Sequence, residues 1–202
     1  MVLILGLTGS RGVGKSRLCD ALVEGHGFTR MHPFDGGKAA CEAYFRHLGA
    51  TAEEASRMVR GDLKDAPSPL LPMGPDGQRH APRYFMERFG AFMGVTLGSE
   101  WTLEAEVARL IGAGVTRIVS ESIVFEADDF RRLGGVIVEV VRTGGPMIEG
   151  IETDRAVRRI SPDAVFHNMS DTVEQAQSDF IAFIEDRLHL WAPAELLPEP
   201  FA

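Results

Sequence analysis

The sequence has few cysteines and no histidines at metal-ligand spacing. Its two cysteines, Cys19 and Cys41, stand in neither a C-x-x-C motif nor a histidine-rich stretch. Two isolated cysteines cannot build a disulfide framework, so we expect free thiols in a reducing compartment. The six histidines are scattered along the 202 residues, and none of their spacings is typical of a zinc site.

The sequence also lacks an excess of positive charge and any long apolar run. The formal net charge is -8 and the pI is about 5.3, which argues against a nucleic acid polymer as the main partner. A local basic pocket for a small anion stays compatible with that balance. No stretch has the length of a membrane span, and the first residues have no basic segment of a signal peptide. We therefore expect a cytoplasmic protein that does not bind membranes.

Short apolar runs alternate with amphipathic stretches along most of the chain. The predicted strands are residues 2–7, 27–34, 115–120, 135–141 and 164–167. The predicted helices are residues 15–25, 38–48, 52–60, 83–92, 103–111, 127–133 and 172–188. Residues 62–82 hold five of the eleven prolines and are predicted to be mostly irregular. Apolar strands that alternate with helices indicate an α/β protein with a parallel sheet covered on both faces.

A glycine-rich motif follows the first predicted strand. Residues 9–16 read GSRGVGKS and fit the pattern G-x-x-x-x-G-K-[ST]. Backbone N–H groups can surround a phosphate only where side chains do not obstruct them, and the following helix adds its positive dipole end. Lys15 would then reach the β- and γ-phosphates, and the Ser16 hydroxyl would ligate Mg²⁺. The predicted ATP-binding residues are Gly9, Ser10, Arg11, Gly12, Val13, Gly14, Lys15, Ser16 and Arg17.

The alternative interpretation of this motif is a glycine-rich turn with an ordinary surface lysine. Its position between an apolar strand and an amphipathic helix favours a phosphate-binding loop, with ATP and Mg²⁺ as cofactors. Such a loop indicates a nucleoside triphosphate and leaves the reaction open. The chain has no N-K-x-D-like guanine signature, which argues against a GTPase.

A second series of motifs follows in a fixed order. It consists of FDGGK at 34–38, DLKDAPSP at 62–69, HAPRYFMERFGAFMGVTLGSEWT at 80–102, GVTRIVSESIVFEADDFRRLGGVIVEVVR at 114–142 and TDRAVRRISPDAVFHN at 153–168. Together with the phosphate-binding loop, this order resembles the deoxynucleoside monophosphate kinases of phages and bacteria. The resemblance runs from Gly6 to about Phe183. Because each motif beyond the loop is short, their order and spacing carry the likeness.

This resemblance implies a fold and a division of the chain. The fold is a three-layer α/β P-loop kinase fold, whose mostly parallel five-stranded sheet has helices on both faces. We expect one domain over residues 1–202. A helical acceptor-binding insertion would lie at about 35–112, and a lid-like region at about 142–160. Arg155, Arg158 and Arg159 would belong to that lid, although a solvated helix face explains them as well.

The resemblance also implies roles for individual residues. The acceptor-binding residues would be Phe34, Lys38, Lys64, Arg83 and Trp101. Arg83 matches an arginine that holds the acceptor's phosphate, for which the forked guanidinium is suited. Arg142 ends the stretch GVIVEVVR, where an arginine would meet the transferring phosphoryl group. Lys15, Arg83 and Arg142 are thus the predicted catalytic residues, while Lys38 and Lys64 could equally be ordinary solvated charges.

One segment departs from the family pattern. Related chains have a D-D-x-R-F-P-N-E-A-like run after the third core strand, whereas this chain has SESIVFEA at 120–127. The arginine and the asparagine are missing, and Glu121 is the one leading acid that is left. We take Glu121, with Ser16, as the predicted metal-site residue. The departure places the base preference and the catalytic efficiency in question.

Three functions are compatible with these observations. The first is ATP-dependent phosphoryl transfer to a nucleoside or deoxynucleoside monophosphate, which gives the diphosphate. The second keeps the kinase and changes the acceptor to dephospho-coenzyme A or another small phosphorylated or hydroxylated metabolite. The third is a nucleotide-binding protein with a weakened active site. The partners in each case are small-molecule nucleotide substrates, and a homodimer is left open.

Overall fold

The chain forms an α/β fold around five parallel strands. A computed structural model describes residues 2–10, 12–124, 126–142 and 159–188. The strands are β1 (Leu3–Thr8), β2 (Thr29–Met31), β3 (Arg117–Ser120), β4 (Val136–Val141) and β5 (Ala164–His167). The helices are α1 (Lys15–Gly25), α2 (Asp35–His47), α3 (Ala52–Arg60), α4 (Pro82–Thr96), α5 (Ser99–Gly112), α6 (Ala127–Arg132) and α7 (Val173–Leu188), and a short 3₁₀ helix covers Asp62–Asp65.

The strand order in the sheet is β2-β3-β1-β4-β5. Every pairing between these strands is parallel. Parallel pairing brings the carboxyl ends of the strands to one edge, where ligands of open α/β sheets bind. The predicted five-stranded α/β architecture is confirmed. The second strand is shorter than predicted, because Gly27 turns the chain at φ 68° and Pro33 cannot donate to a ladder.

The main core lies on one face of the sheet. Alternation along β1 directs Leu5 and Leu7 to that face, where they pack with α1 and α7. Gly6 faces the opposite side, where a Cβ would come within 2.6 Å of the Ile123 side chain and 2.8 Å of the Phe130 ring of α6. Glycine at this position therefore lets the side chains of the second layer approach the sheet closely. Both faces of the sheet are covered, as the apolar strands predict.

The chain divides into two compact units. The sheet unit consists of the described residues of 1–32 and 107–202, and the helical unit is Pro33–Glu106. The helical unit has a core of its own, formed by Cys41, Phe45, Ala55, Met58, Val59, Leu71 and Met86. Its helix α3 starts with a capping box, because Thr51 Oγ1 accepts from the Glu54 amide and the Glu54 carboxylate accepts from the Thr51 amide.

Other expectations are met only in part by the described residues. Cys19 and Cys41 are buried free cysteines, as expected. The single domain over 1–202 and the insertion at about 35–112 remain predictions. Of the lid-like region at about 142–160, only Arg142, Arg159 and Ile160 are described, so Arg155 and Arg158 lie outside the described residues. Over the described ranges, no helix combines the length and apolarity needed to cross a bilayer.

Candidate functional site

The glycine-rich loop between β1 and α1 needs its glycines for backbone geometry. Gly9, Gly12 and Gly14 have φ values of 129°, 84° and 104°, all in the region that disfavours other residues. A Cβ on Gly9 would lie 2.3 Å from the carbonyl oxygen of Val140, and one on Gly14 would lie 2.9 Å from Asn168 Nδ2. The loop is therefore held against two neighbouring elements by approaches that only glycine permits. Arg11, in the same loop, lies outside the described residues.

Lys15 folds back across the loop that precedes it. Its Nζ donates to the carbonyl oxygens of Gly9 at 2.6 Å and Ser10 at 2.8 Å. The next side chain, Ser16, is exposed at the start of α1. Helix α1 has Gly14 as its N-cap and no side-chain cap, so its first N–H groups have no capping side chain to satisfy them. Together the ammonium and these amides present positive charge to the space around the loop.

Asn168 joins the loop to the end of β5. It follows β5, and its Nδ2 donates to the carbonyl oxygen of Val13 at 2.9 Å. Its own amide donates to Val141 at 2.8 Å, and only 3% of the residue is exposed. Asn168 is the last residue of the motif TDRAVRRISPDAVFHN, and it is not among the predicted site residues. A buried asparagine at the end of the last strand is the signal that points to such a tie.

The predicted metal-site residue Glu121 lies next to α1. It comes directly after β3, and its carboxylate is 3.3 Å from Arg30 Nη1. Arg30 Nη2 donates to Asp20 at 2.6 Å and to the carbonyl oxygen of Ser16 at 3.3 Å. The hydrogen bond to Asp20 and the charge of Glu121 raise the pKa of Arg30 against the lowering effect of burial. Glu121 and Ser16 are thus joined through one guanidinium.

The buried Cys19 thiol stands beside this group. Burial raises the pKa of Cys19 to about 12, so the thiol is neutral at physiological pH. It packs with Leu18 and Leu22 in the main core. Cys19 is therefore a small apolar side chain in this structure and contributes no charge to the site.

Several residues at the carboxyl edge of the sheet fit a phosphate-bound Mg²⁺. The hydroxyl oxygens of Thr8 and Ser120, at the ends of β1 and β3, are buried without a hydrogen-bond partner in the structure. Buried polar oxygens of this kind are costly unless water or a ligand satisfies them. Among the described residues, no group of three or more His, Cys, Asp or Glu could hold a metal alone. A site with few carboxylates is typical of Mg²⁺ that is held mainly by substrate phosphates.

A small cavity adjoins the loop within the sheet unit. Its lining includes Gly14, Arg17, Arg142, Asn168 and Thr172. Arg142 is exposed and comes directly after β4, so the cavity brings two of the predicted site residues, Arg17 and Arg142, beside the loop. Asp171 lines the same cavity, so its charged lining consists of two guanidinium groups and one carboxylate.

The helical unit holds all five of the predicted acceptor-binding residues. The Phe34 ring lies directly on the first turn of α2, where a Cβ on Gly37 would come within 1.9 Å of it. The same ring packs edge to face on Phe89 at 6.2 Å and lies beside Gly90 of α4. Gly37 of FDGGK thus makes room for an aromatic ring between α2 and α4.

Lys38 forms an ion pair at the start of α2. Its Nζ is 2.9 Å from Asp35 Oδ1, and Arg60 at the end of α3 lies 3.6 Å from the same oxygen. Arg60 also pairs with Glu42 at 3.1 Å. Side-chain exposure is only 17% for Lys38, which is far less than for an ordinary solvated lysine. Arg60 is a cation that sequence analysis did not identify.

Arg83 forms a forked pair with Asp65. Both carboxylate oxygens accept from the guanidinium, one from Nε and the other from Nη2 at 2.8 Å. These hydrogen bonds raise the pKa of Arg83. Burial lowers the pKa of Lys64, and the positive charges of Arg83 and Lys38 lower it further. The helical unit therefore brings the cations Lys38, Lys64 and Arg83 from three separate segments near one another, with Asp35 beside Lys38 and Asp65 beside Arg83; we call these three cations the cation cluster.

The lysines of the chain are confined to these two sites. Lys15, Lys38 and Lys64 are its only lysines, and the other 18 of its 21 basic residues are arginines. Every lysine of the chain therefore lies either in the glycine-rich motif or in the cation cluster. Trp101, the last predicted acceptor residue, lies on α5 with 54% of its surface exposed.

Comparison with known proteins gives structural neighbours only. No family model and no curated protein matches the sequence. Three solved structures are similar in outline. A "putative kinase" from Chloroflexus aurantiacus is 16% identical over 94% of this chain and 96% of its own, with a TM-score of 0.46. A sugar kinase from Janibacter sp. HTCC2649 is 13% identical over 94% of this chain and 98% of its own, with a TM-score of 0.42. Dephospho-CoA kinase from Campylobacter jejuni is 12% identical over 92% of this chain and 97% of its own, with a TM-score of 0.47. At such low identity and similarity, no residue role is carried over from them.

Proposed function

We propose that the chain is a phosphotransferase that moves a phosphoryl group from ATP to a nucleoside or deoxynucleoside monophosphate. The observation that carries this proposal is the pairing of two phosphate-type sites in one chain. One is the glycine loop of the sheet unit, and the other is the cluster of Lys38, Lys64 and Arg83 in the helical unit. A kinase for a phosphorylated acceptor needs two anion sites, whereas an ATPase or a simple nucleotide-binding protein needs one.

In the donor half, the loop amides and Lys15 would hold the triphosphate. The two carbonyl oxygens that now accept from Lys15 Nζ would give way to phosphate oxygens, which are stronger acceptors. Arg142 would add charge on the transferring group from the end of β4. Mg²⁺, when bound, would neutralise phosphate charge, and the Ser16 hydroxyl and Glu121 are the residues that would hold it.

In the acceptor half, Arg83 would bind the monophosphate. Its Nε and Nη2 already engage two carboxylate oxygens, and the same fork fits two oxygens of a phosphate. Lys38 and Lys64 would share the remaining charge. Phosphoryl transfer between such sites depends on positioning and charge neutralisation, with no covalent intermediate on the protein. Phe34 and Trp101 would contact the nucleoside.

The test is an acceptor screen with the full chain, ATP and Mg²⁺. ADP release would be measured with each ribo- and deoxyribonucleoside monophosphate, with dephospho-coenzyme A and with hydroxyl-bearing metabolites, and the products would be identified by chromatography. We expect ADP release that depends on a monophosphate and a diphosphate product. Turnover only with dephospho-coenzyme A or a hydroxyl acceptor would replace the proposed acceptor. ATP binding without turnover on any acceptor would support the weakened nucleotide-binding protein instead.

A further inference from the structure

Arg30 is the most connected side chain beside the phosphate loop, and the sequence motifs do not include it. It lies in β2 and touches three groups with its two terminal nitrogens. Nη2 is 2.6 Å from Asp20 Oδ1 and 3.3 Å from the carbonyl oxygen of Ser16, and Nη1 is 3.3 Å from Glu121 Oε2. The guanidinium therefore stands between two carboxylates at the start of α1.

The sheet register explains why these residues meet. Arg30 is aligned with Val119 of β3, and Glu121 comes two residues later. Side chains two apart along an extended chain share a face, so Glu121 emerges on the side of Val119, which packs against α1. Ser16 and Asp20 are four residues apart, which places them on one side of α1. Three elements thus bring one cation and two anions next to Ser16.

Arg30 is the cation that contacts both carboxylates of this group. Arg17 Nη1 also lies 3.9 Å from Asp20 Oδ2, and its side chain is 71% exposed. The side chains of Asp20, Glu121 and Arg30 are 32%, 30% and 37% exposed, while Glu121 Oε2, the oxygen that faces Arg30, is itself buried. Carboxylate oxygens are ligands of the kind that divalent cations prefer. In this structure the guanidinium occupies the position between the two carboxylates.

We infer that Arg30 is a positioning residue that keeps Asp20 and Glu121 paired with each other through its guanidinium and so makes divalent-cation binding dependent on nucleotide. The inference rests on the proposed function, because it assumes that phosphates arrive at the loop. An arginine keeps its charge throughout the physiological pH range, so the pairing persists. A divalent cation then binds together with the nucleotide. The phosphates provide ligand oxygens for it, because the carboxylates of Asp20 and Glu121 are already paired with Arg30.

The test measures Mn²⁺ binding by electron paramagnetic resonance, in the full chain, with and without ADP. The variants are Arg30→Met, which removes the charge, and Arg30→Lys, which keeps it. Without nucleotide, we expect Arg30→Met to bind one Mn²⁺ at least about tenfold more tightly than the wild type, because a repulsive charge within a few ångströms is lost. Arg30→Lys should behave as the wild type does. With ADP present, the difference in Mn²⁺ affinity between Arg30→Met and the wild type should be smaller than without ADP.

Two further variants make the result specific. Arg117→Met removes an arginine from the opposite end of β3, where Nη1 donates to the carbonyl oxygen of His26 at 2.8 Å, and should gain no Mn²⁺ binding. Arg30→Met combined with Glu121→Gln should lose the gained binding. If Arg30→Met proves unstable in thermal melts, Arg30→Gln removes the charge and retains hydrogen-bond donors for Asp20.

Several outcomes would overturn the inference. Unchanged nucleotide-free Mn²⁺ binding in the neutral Arg30 variants would do so, and so would an equal gain in Arg117→Met. Because these titrations need neither acceptor nor turnover, they are separate from the acceptor screen. A chain that gains Mn²⁺ binding in Arg30→Met but turns over no acceptor would refute the proposed kinase and leave the role of Arg30 standing.

Discussion

The two candidate phosphate sites are built by opposite means. In the sheet unit, the loop at residues 9–16 is one continuous stretch, and its shape comes from three glycines with positive φ. In the helical unit, Lys38, Lys64 and Arg83 come from α2, the 3₁₀ helix and α4, and their side chains form the cluster. A site made from backbone is local in sequence, whereas a site made from long side chains needs several elements packed in place.

Substitutions should therefore affect the two candidate sites differently. A backbone site is sensitive to the loss of glycine, because an added Cβ changes the loop geometry and hence every amide at once. A side-chain site should lose affinity one cation at a time and keep its fold, since Arg83 is partly exposed and its present partner is a surface carboxylate.

Lys15→Ala should have the largest effect on turnover. The Lys15 ammonium lies across the glycine loop, and we expect kcat to fall by about a thousandfold, comparable to the loss of one strong electrostatic contact in a transition state. The melting temperature should change little, because the ammonium donates to the Gly9 and Ser10 carbonyl oxygens of its own loop, and these hydrogen bonds join no distant element. Near-normal kcat in steady-state assays would remove Lys15 from the mechanism.

Gly9→Ala should damage the fold of the loop itself. The new Cβ would lie 2.3 Å from the Val140 carbonyl oxygen at a φ of 129°, and we expect a loss of about 3 kcal/mol in the free energy of unfolding, from backbone strain and the clash together. The matched control is Gly12→Ala, where φ is 84° and nothing lies within 4 Å of the new atom. That variant should lose only about 1 kcal/mol. Equal losses in denaturant titrations would contradict the close approach at Gly9.

Arg83→Met should raise the KM for the acceptor by about 10- to 100-fold, the range for losing charge-assisted hydrogen bonds to an anion. The KM for ATP should stay within a factor of about two, since Arg83 belongs to the proposed acceptor site and not to the glycine loop. Arg88→Met is the matched control, because Arg88 lies on the same helix with its guanidinium 3.7 Å from the Tyr84 ring. If both variants shift the acceptor KM equally, general charge accounts for the effect.

Asn168→Ala should have the smallest effect on catalysis. It removes the hydrogen bond to the Val13 carbonyl oxygen, and we expect the free energy of unfolding to fall by about 1–2 kcal/mol because a buried carbonyl loses its partner. The KM for ATP should rise a few-fold, while the acceptor KM should not change. Denaturant titration would measure the change in the free energy of unfolding, and isothermal titration with ADP would measure the change in nucleotide affinity. Unchanged ADP affinity would limit Asn168 to a purely structural role.

The sequence predicted the donor half more completely than the acceptor half. The glycine loop can be recognised from the sequence because its geometry depends on residue types at fixed spacing. Its position between β1 and α1 agrees with the prediction. Asn168, Arg30 and Asp20 were not predicted as site residues, although each contacts the loop or its neighbours. Their contributions depend on strand register and on side-chain direction, which local patterns do not report.

For the proposed acceptor site as well, the sequence predicted residues but not their contacts. Lys38, Lys64 and Arg83 were predicted through a family resemblance, and the helical unit brings the three together. The sequence did not reveal that each cation has a carboxylate close by, such as Asp35 beside Lys38 and Asp65 beside Arg83. Arg60 was not predicted either, because the sequence alone does not distinguish an arginine that pairs with Asp35 from one that only faces solvent.

The alternation of strands and helices, the parallel sheet and the glycine-rich loop can be predicted from local sequence patterns, because apolar periodicity and glycine spacing act over a few neighbouring residues. Which distant charges meet depends on how the elements pack. The strand order β2-β3-β1-β4-β5 sets Arg30 beside Glu121, and the packing of α2, α3 and α4 sets the cation cluster. Electrostatic partners are chosen by distance in space, and that distance is fixed once the core has packed.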